Sequence, residues 1–306
     1  MTRIAKFIMA FLFVPATALA WPTKPISIVV PFSPGGLTDQ IIRKIAPELE
    51  KYLQVPVIVK NQPGGNHMVA LHAVLAHQYD DHTFVVADGG LASGGYWINP
   101  NVVNNFKMIS ILGSAPMVFS GGTAATLHNL NLQTQSKKPV TVASTGSDSI
   151  QYLWLASLTN TPNMIPVYYK GGNPAMSDLA GGHVDYAIMS LTLTQQFAET
   201  GKVVPLLISS AKRHALFPDL VTFREVGWQG DPGEYWIGIL SPKISDATNM
   251  QKFTATIDGI VQNGHLKQLE TTGMIFDSKS GPKAQKFFQD ELNRFNRIRH
   301  RVLQQQ

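Results

Sequence analysis

The chain has 306 residues, 44% of them apolar, with 25 Lys and Arg against 20 Asp and Glu for a formal net charge of +5. It contains no cysteine, which excludes a disulfide-stapled scaffold and thiol chemistry and leaves apolar burial to hold the core. The positive charge is scattered except for Arg294, Arg297, Arg299 and Arg301, most of which face solvent on a helix, so a nucleic-acid role is not expected.

Residues 1–20 read as an export signal. Arg3 and Lys6 give a positive start, residues 7–15 an apolar run, and Ala18-Leu19-Ala20 the small-x-small pattern that signal peptidase accepts. The run is shorter than the roughly 20 apolar residues a membrane-spanning helix needs, so cleavage after Ala20 and a mature start at Trp21 are expected. The remainder is longer than one compact core usually holds. Two lobes are expected, residues 21–119 with 234–306 forming one and 120–233 the other.

Short apolar runs alternate with helical patterns, as in parallel sheets covered by helices. Strands are predicted over 26–30, 55–59 and 84–87, and a helix over 39–53 carries Ile41, Ile42, Ile45, Leu49 and Leu53 at helical spacing, with Pro47 inside it marking a kink. A helix is also predicted to start near His67. The second set comprises strands over 140–143, 165–169, 184–189, 204–209 and 235–240, with helices near 148–158 and 175–180. The chain ends in helices, the last with Phe288, Leu292, Phe295, Ile298 and Val302 on one stripe. The glycine-rich or polar stretches 120–123 and 227–233 are the expected crossings between lobes.

Two segments each follow a strand, combine glycine with small hydroxyl residues, and open a helix. One contains Phe32, Ser33, Gly35, Gly36, Leu37, Thr38 and Asp39; the other contains Ser144, Thr145, Gly146, Ser147, Asp148 and Ser149. A helix start exposes unpaired N–H groups and the positive end of the dipole, so each segment can cradle a carboxylate, one per lobe. The same residues also suit plain helix caps. Neither loop has the lysine or the glycine spacing of a nucleotide-phosphate motif. Gly65 and Asn66 lie on a third glycine turn, and Tyr169 and Lys170 on a fourth, where Lys170 offers a cation at a strand end.

Enzyme signatures are thin. The chain has no G-x-S-x-G elbow and no H-E-x-x-H pair, and no cofactor or metal is expected. His67, His72 and His77 fall five apart, which turns successive side chains by roughly 140° on a helix, so they read as surface or packing histidines.

Several separated motifs, in order, resemble the Bug/TctC substrate-binding proteins of tripartite tricarboxylate transporters. They are Trp21-Pro22 with Val29-Val30-Pro31-Phe32 and Pro34-Gly35-Gly36; Val57-Ile58-Val59-Lys60-Asn61 with Pro63-Gly64-Gly65-Asn66; Tyr169-Lys170-Gly171 with Gly181-Gly182-His183-Val184-Asp185; and Arg213 with Phe217-Pro218-Asp219 and Trp236-Ile237-Gly238. The resemblance implies an α/β, two-lobed periplasmic binding protein fold, type II-like, each lobe a sheet flanked by helices. It implies a periplasmic monomer that holds a small carboxylate or zwitterionic solute at the loops 33–39 and 144–149, with Asp185 among the motif residues, and that hands the solute to membrane transporter subunits. A sensor that presents its loaded form to a signalling partner is the alternative. The chain departs from the family's pattern at 79–83, where Tyr79-Asp80-Asp81-His82-Thr83 replaces a proline-aspartate-glycine-tyrosine turn, and at Asp148, which stands where small neutral residues are common. Asp148 either caps its helix or meets a positive group on the solute. Intact-mass measurement of exported protein is expected to give a chain starting at Trp21; a mass that retains residues 1–20 contradicts the export reading.

Overall fold

The computed structural model describes residues 21–35, 37–76, 81–136, 138–145, 149–158, 161, 163–169, 171–215, 217–229, 233–270 and 273–303. The signal segment, and with it the expected cleavage point, lies outside the described residues.

The chain opens with strand β1 (Ile26–Val30), whose apolar side chains are almost all buried. Helix α1 (Leu37–Leu53) follows and buries Ile41, Ile42, Ile45, Leu49 and Leu53 along one stripe, with Pro47 inside it. It stops at Gln54, whose φ of 59° turns the chain out of the helix. Strand β2 (Val57–Asn61) starts two residues later than the apolar run suggests. Pro56 has no N–H for a ladder and instead accepts from Ile26 N at 2.9 Å. Helix α2 (Met68–Ala76), strand β3 (Thr83–Asp88), a π-helical turn at Leu91–Gly95 and two short helical turns, α3 (Tyr96–Ile98) and α4 (Pro100–Val103), lead into strand β4 (Phe106–Gly122).

The second set runs α5 (Leu127–Ser136), β5 (Pro139–Ser144), α6 (Ile150–Ser157), β6 (Asn163–Tyr168), α7 (Gly172–Ala180), β7 (Tyr186–Ser190), α8 (Leu191–Ala198), β8 (Val203–Ile208) and β9 (Val221–Thr222). The chain returns through β10 (Glu234–Pro242) and closes with α9 (Ala247–Gln262), α10 (Lys267–Glu270), β11 (Lys279–Ser280) and α11 (Pro282–Leu303).

The strands order as β2-β1-β3-β10-β4-β7-β5-β6. Within this order β2, β1 and β3 are parallel, and so are β6, β5 and β7. The expected parallel sheets are therefore mixed, because β10 and β4 run antiparallel to the strands beside them. The pattern reading found no strand at β4, although it has 17 residues. Nearly every β4 residue is buried, so neither face alternates. Gly113 and Pro116 further interrupt its apolar run. A Cβ on Gly113 would stand 2.4 Å from the Ile275 carbonyl, so a close chain crossing demands glycine there. Ser120, Gly121 and Gly122, expected in a loop between lobes, are instead the paired end of β4 against β7 and β8.

Apolar clusters lie on both faces of each part of the sheet. Under β1, β3 and β10, Phe84 and Phe253 stack at 3.9 Å between ring centroids with both side chains fully buried. On the opposite face α11 buries Phe288, Leu292, Phe295 and Ile298. It is tied down by Glu291, which accepts from Trp236 Nε1 at 2.9 Å and Arg294 Nη1 at 2.7 Å. Among the described residues no helix is long and apolar enough to cross a membrane. Phe253→Ala empties a fully buried ring site and is expected to lower stability by about 3–5 kcal/mol; urea unfolding checks this, and a loss below about 1 kcal/mol would mean the site collapses without cost.

Candidate functional site

The carboxyl ends of the parallel strands in both parts of the sheet face a shared cleft, the place where α/β sheets expose loop backbone. One chamber of about 540 Å³ is lined by Phe32, His67, Asp88, Ser149 and Gln151, among others. A second of about 230 Å³ adds Leu37, Thr38, Met117 and Leu193, and both share Phe32, Thr145, Gln151 and Tyr235. The starts of α1 and α6 therefore border one continuous space. A larger cavity of about 900 Å³ lies elsewhere, lined by Lys212, Phe217, Glu234, Lys267 and Ile275 among others. Glu234 lines it and Tyr235 lines the cleft, and successive side chains of a strand point to opposite faces, so this cavity lies behind β10. Its described lining has no strand-end glycine loop, and the helix start there, Lys267, belongs to the four-residue α10, so the smaller cleft is the better candidate.

The first loop is braced by Asp39. Its carboxylate accepts from Gly35 N at 2.8 Å, Asn61 Nδ2 at 2.8 Å and Arg43 Nε at 3.0 Å, while Asn61 also donates to the Phe32 carbonyl at 3.1 Å. Burial raises the Asp39 pKa, but the bonds from Arg43, Gly35 and Asn61 outweigh it and hold the carboxyl below its ordinary value of 3.8. Gly35 takes a φ of 81°, which an L side chain adopts only with strain. Asp39 thus shapes the loop from beneath. Thr38, also buried, shares a 2.7 Å hydrogen bond with the Tyr235 hydroxyl. Phe32 and Leu37 line the cleft, and Ser33 is exposed beside it.

From the other side, Thr145 reaches Gln151 at 3.1 Å. The Ser144 hydroxyl is fully buried with no hydrogen-bond partner among the described residues, and Ser149 stands at the start of α6 against the cleft. Gly65 and Asn66 also line it. Tyr169 does not appear in its lining; its hydroxyl donates to Asp178 at 2.7 Å, and burial with that carboxylate pushes its pKa up to about 12. Asp185 is not brought there either. It precedes β7 and accepts from Thr141 N at 2.7 Å. Because β5 and β7 are parallel, their starts lie a strand length from their carboxyl ends. Gly36, Ser147, Asp148 and Lys170 lie outside the described residues.

Several lining residues escaped the motif reading. Tyr235, Gln151, Met117 and Leu193 carry no motif of their own. Asp88 ends β3, where the strand-end rule could have found it. His67, read as a surface or packing histidine, is buried in the cleft wall with Nε2 3.2 Å from Asp88 Oδ1. Asp88 Oδ1 also accepts from Gly90 N at 2.8 Å. Burial and then the Asp88 charge hold the Tyr235 hydroxyl well above its ordinary pKa.

The chain matches the model of the tripartite tricarboxylate transporter family receptor over residues 41–303. It is 30% identical over 264 residues to protein BugT of Bordetella pertussis, covering 80% of each chain. A Rhodopseudomonas palustris structure with adipate superimposes with TM-score 0.78 at 21% identity, over 92% of this chain and 98% of that one. MatC of the same organism, with bound malate, does so with TM-score 0.74 at 23% identity, over 91% and 99%.

The Asp39 bracing carries a pH signature. A carboxyl held low in the folded state contributes stability that is present above its unfolded value and lost as pH falls through its folded one. Asp39→Ala is expected to cost about 1–3 kcal/mol near neutral pH, with the gap to the wild type closing as pH drops below about 3.8. Denaturation at neutral and acid pH checks this; a gap that stays constant would show that Asp39 does not brace the loop through its charge.

Proposed function

The chain belongs to the tripartite tricarboxylate transporter receptor family, and from that premise we propose that it captures one small carboxylate-bearing solute in the cleft and delivers it to membrane transporter subunits. The observation that supports this most is the pairing of helix starts: Leu37 and Thr38 open α1 on one side, and Ser149 and Ile150 open α6 on the other, within one continuous space. The positive dipole end at each helix start suits a carboxylate better than a cation. The adipate and malate held by the two Rhodopseudomonas palustris proteins are consistent with that chemistry.

The protein works as a periplasmic monomer after removal of residues 1–20. Residues 21–119 with 234–306 make one lobe and 120–233 the other, with the solute between them. The nearby sheet pairings support this division, since β4 pairs with β10 up to Pro116 and with β7 and β8 from Met117 on. The cleft binds and does not transform its solute. Lys170 is the proposed partner for a solute carboxylate, and Asp148 either caps its helix or meets a positive group on the solute.

Calorimetry on the protein from residue 21 onward is expected to find one site per chain for a mono- or dicarboxylate, recovered unchanged. At a hundredfold its dissociation constant such a solute adds about 2.7 kcal/mol of stability. If no aliphatic or aromatic acid or amino acid raises the melting temperature, the solute class is wrong; conversion of the bound solute would point to an enzyme.

A further inference from the structure

The cleft contains a buried acid facing the space assigned to an anion. Asp88 is 6% exposed and lines the larger chamber. A carboxylate fixed there repels a second carboxylate, because Coulomb interactions strengthen away from water. Among the described residues that line this chamber, the titratable groups are Asp88, His67 and Tyr235. The Tyr235 hydroxyl is held neutral by burial and by Asp88. Asp39 stands beneath the neighbouring loop with Arg43 against it, so its charge is already met. Among the described residues that line the chamber, His67 is the group that can carry a positive charge against Asp88.

The placement of His67 is unusual in several respects. It is 4% exposed, its Nε2 lies 3.2 Å from Asp88 Oδ1, and both ring nitrogens are buried with no hydrogen-bond partner among the described residues. Its backbone has a φ of 77°, and Asn66 before it has a φ of 46°. Left-handed backbone at a non-glycine residue is unfavourable and persists where the surroundings impose it, most often at binding sites. The Phe32 ring meets the imidazole edge-on at 5.3 Å, which fixes the ring between the first loop and Asp88. Packing alone would not require a titratable ring here, since an apolar side chain could fill the space against Phe32 without leaving Nδ1 unpaired.

We propose that His67 and Asp88 act together as a charge gate: with His67 protonated the pair is neutral and the cleft accepts an anionic solute, and with His67 neutral the uncompensated Asp88 turns it away. This rests on the reading of the cleft as a carboxylate site. His67 and Asp88 are then specificity-determining residues, and capture weakens as pH rises.

The test is calorimetry with adipate and malate from about pH 6 to about pH 8.5, where both acids stay largely ionised. The wild type is expected to lose about tenfold or more in affinity across that range. Asp88→Asn keeps the shape and removes the charge, and should bind tightly with no slope. His67→Asn suits the left-handed backbone but cannot be protonated, and should bind weakly with no slope. Circular dichroism melting of each variant identifies any that fails to fold, in which case the other carries the comparison. A flat wild-type profile, or a slope retained in either folded variant, overturns the gate while leaving the receptor reading intact. If neither acid nor any other carboxylate binds the wild type at any pH, both readings fall together.

Discussion

Strand β4 must hydrogen-bond along two different sets of neighbours within one continuous run of backbone. Up to Pro116 its partner is β10, and from Met117 onward its partners are β7 and β8. Pro116 stands opposite Glu234, the first residue of β10, so the residue that cannot donate to a ladder falls at the changeover. Immediately beyond it, Ser209 accepts from Met117 N at 2.8 Å and donates to the Gly233 carbonyl. One buried hydroxyl thus joins the outgoing strand, the end of β8 and the returning strand. The two parts of the sheet are held in register at this point, and the cleft in front of it inherits its shape from that junction.

The cleft is built largely from backbone, with side chains serving mainly to hold the backbone in place. Asp39 and Asn61 brace the first loop from beneath, Thr38 links it to Tyr235, and Tyr235 in turn interacts with Asp88. The chain of contacts runs from α1 through β10 to the end of β3. The first loop and the buried acid are thus joined through Thr38 and Tyr235, which are distant in sequence.

The motif loops were legible in the sequence because glycine and small hydroxyl residues between a strand and a helix have a direct physical meaning. The helix stripes of α1 and α11 were legible for the same reason, their apolar spacing matching the turn of the helix. Strand β4 was not, since burial on both faces removes the alternation that marks a strand, and Gly113 and Pro116 mimic turn signals. His67 and Asp88 were missed for a different reason. They lie 21 positions apart, His67 just past a glycine turn and Asp88 at a strand end, and only the parallel pairing of β1 with β2 and β3 sets their loops side by side. Local pattern carries periodicity and turn chemistry; it carries no information about which strand ends become neighbours.

Glu234 and Tyr235 are consecutive residues of β10, yet one borders the large rear cavity and the other the cleft. Both spaces span the same two parts of the sheet, the rear one between Ser210 and Lys267 and the front one between Phe32 and Gln151. The β4–β10 junction lies between them like the pivot of a lever. Neighbouring residues of one strand thus wall both spaces, and a substitution that shifts β10 at Glu234 or Tyr235 alters the two at once.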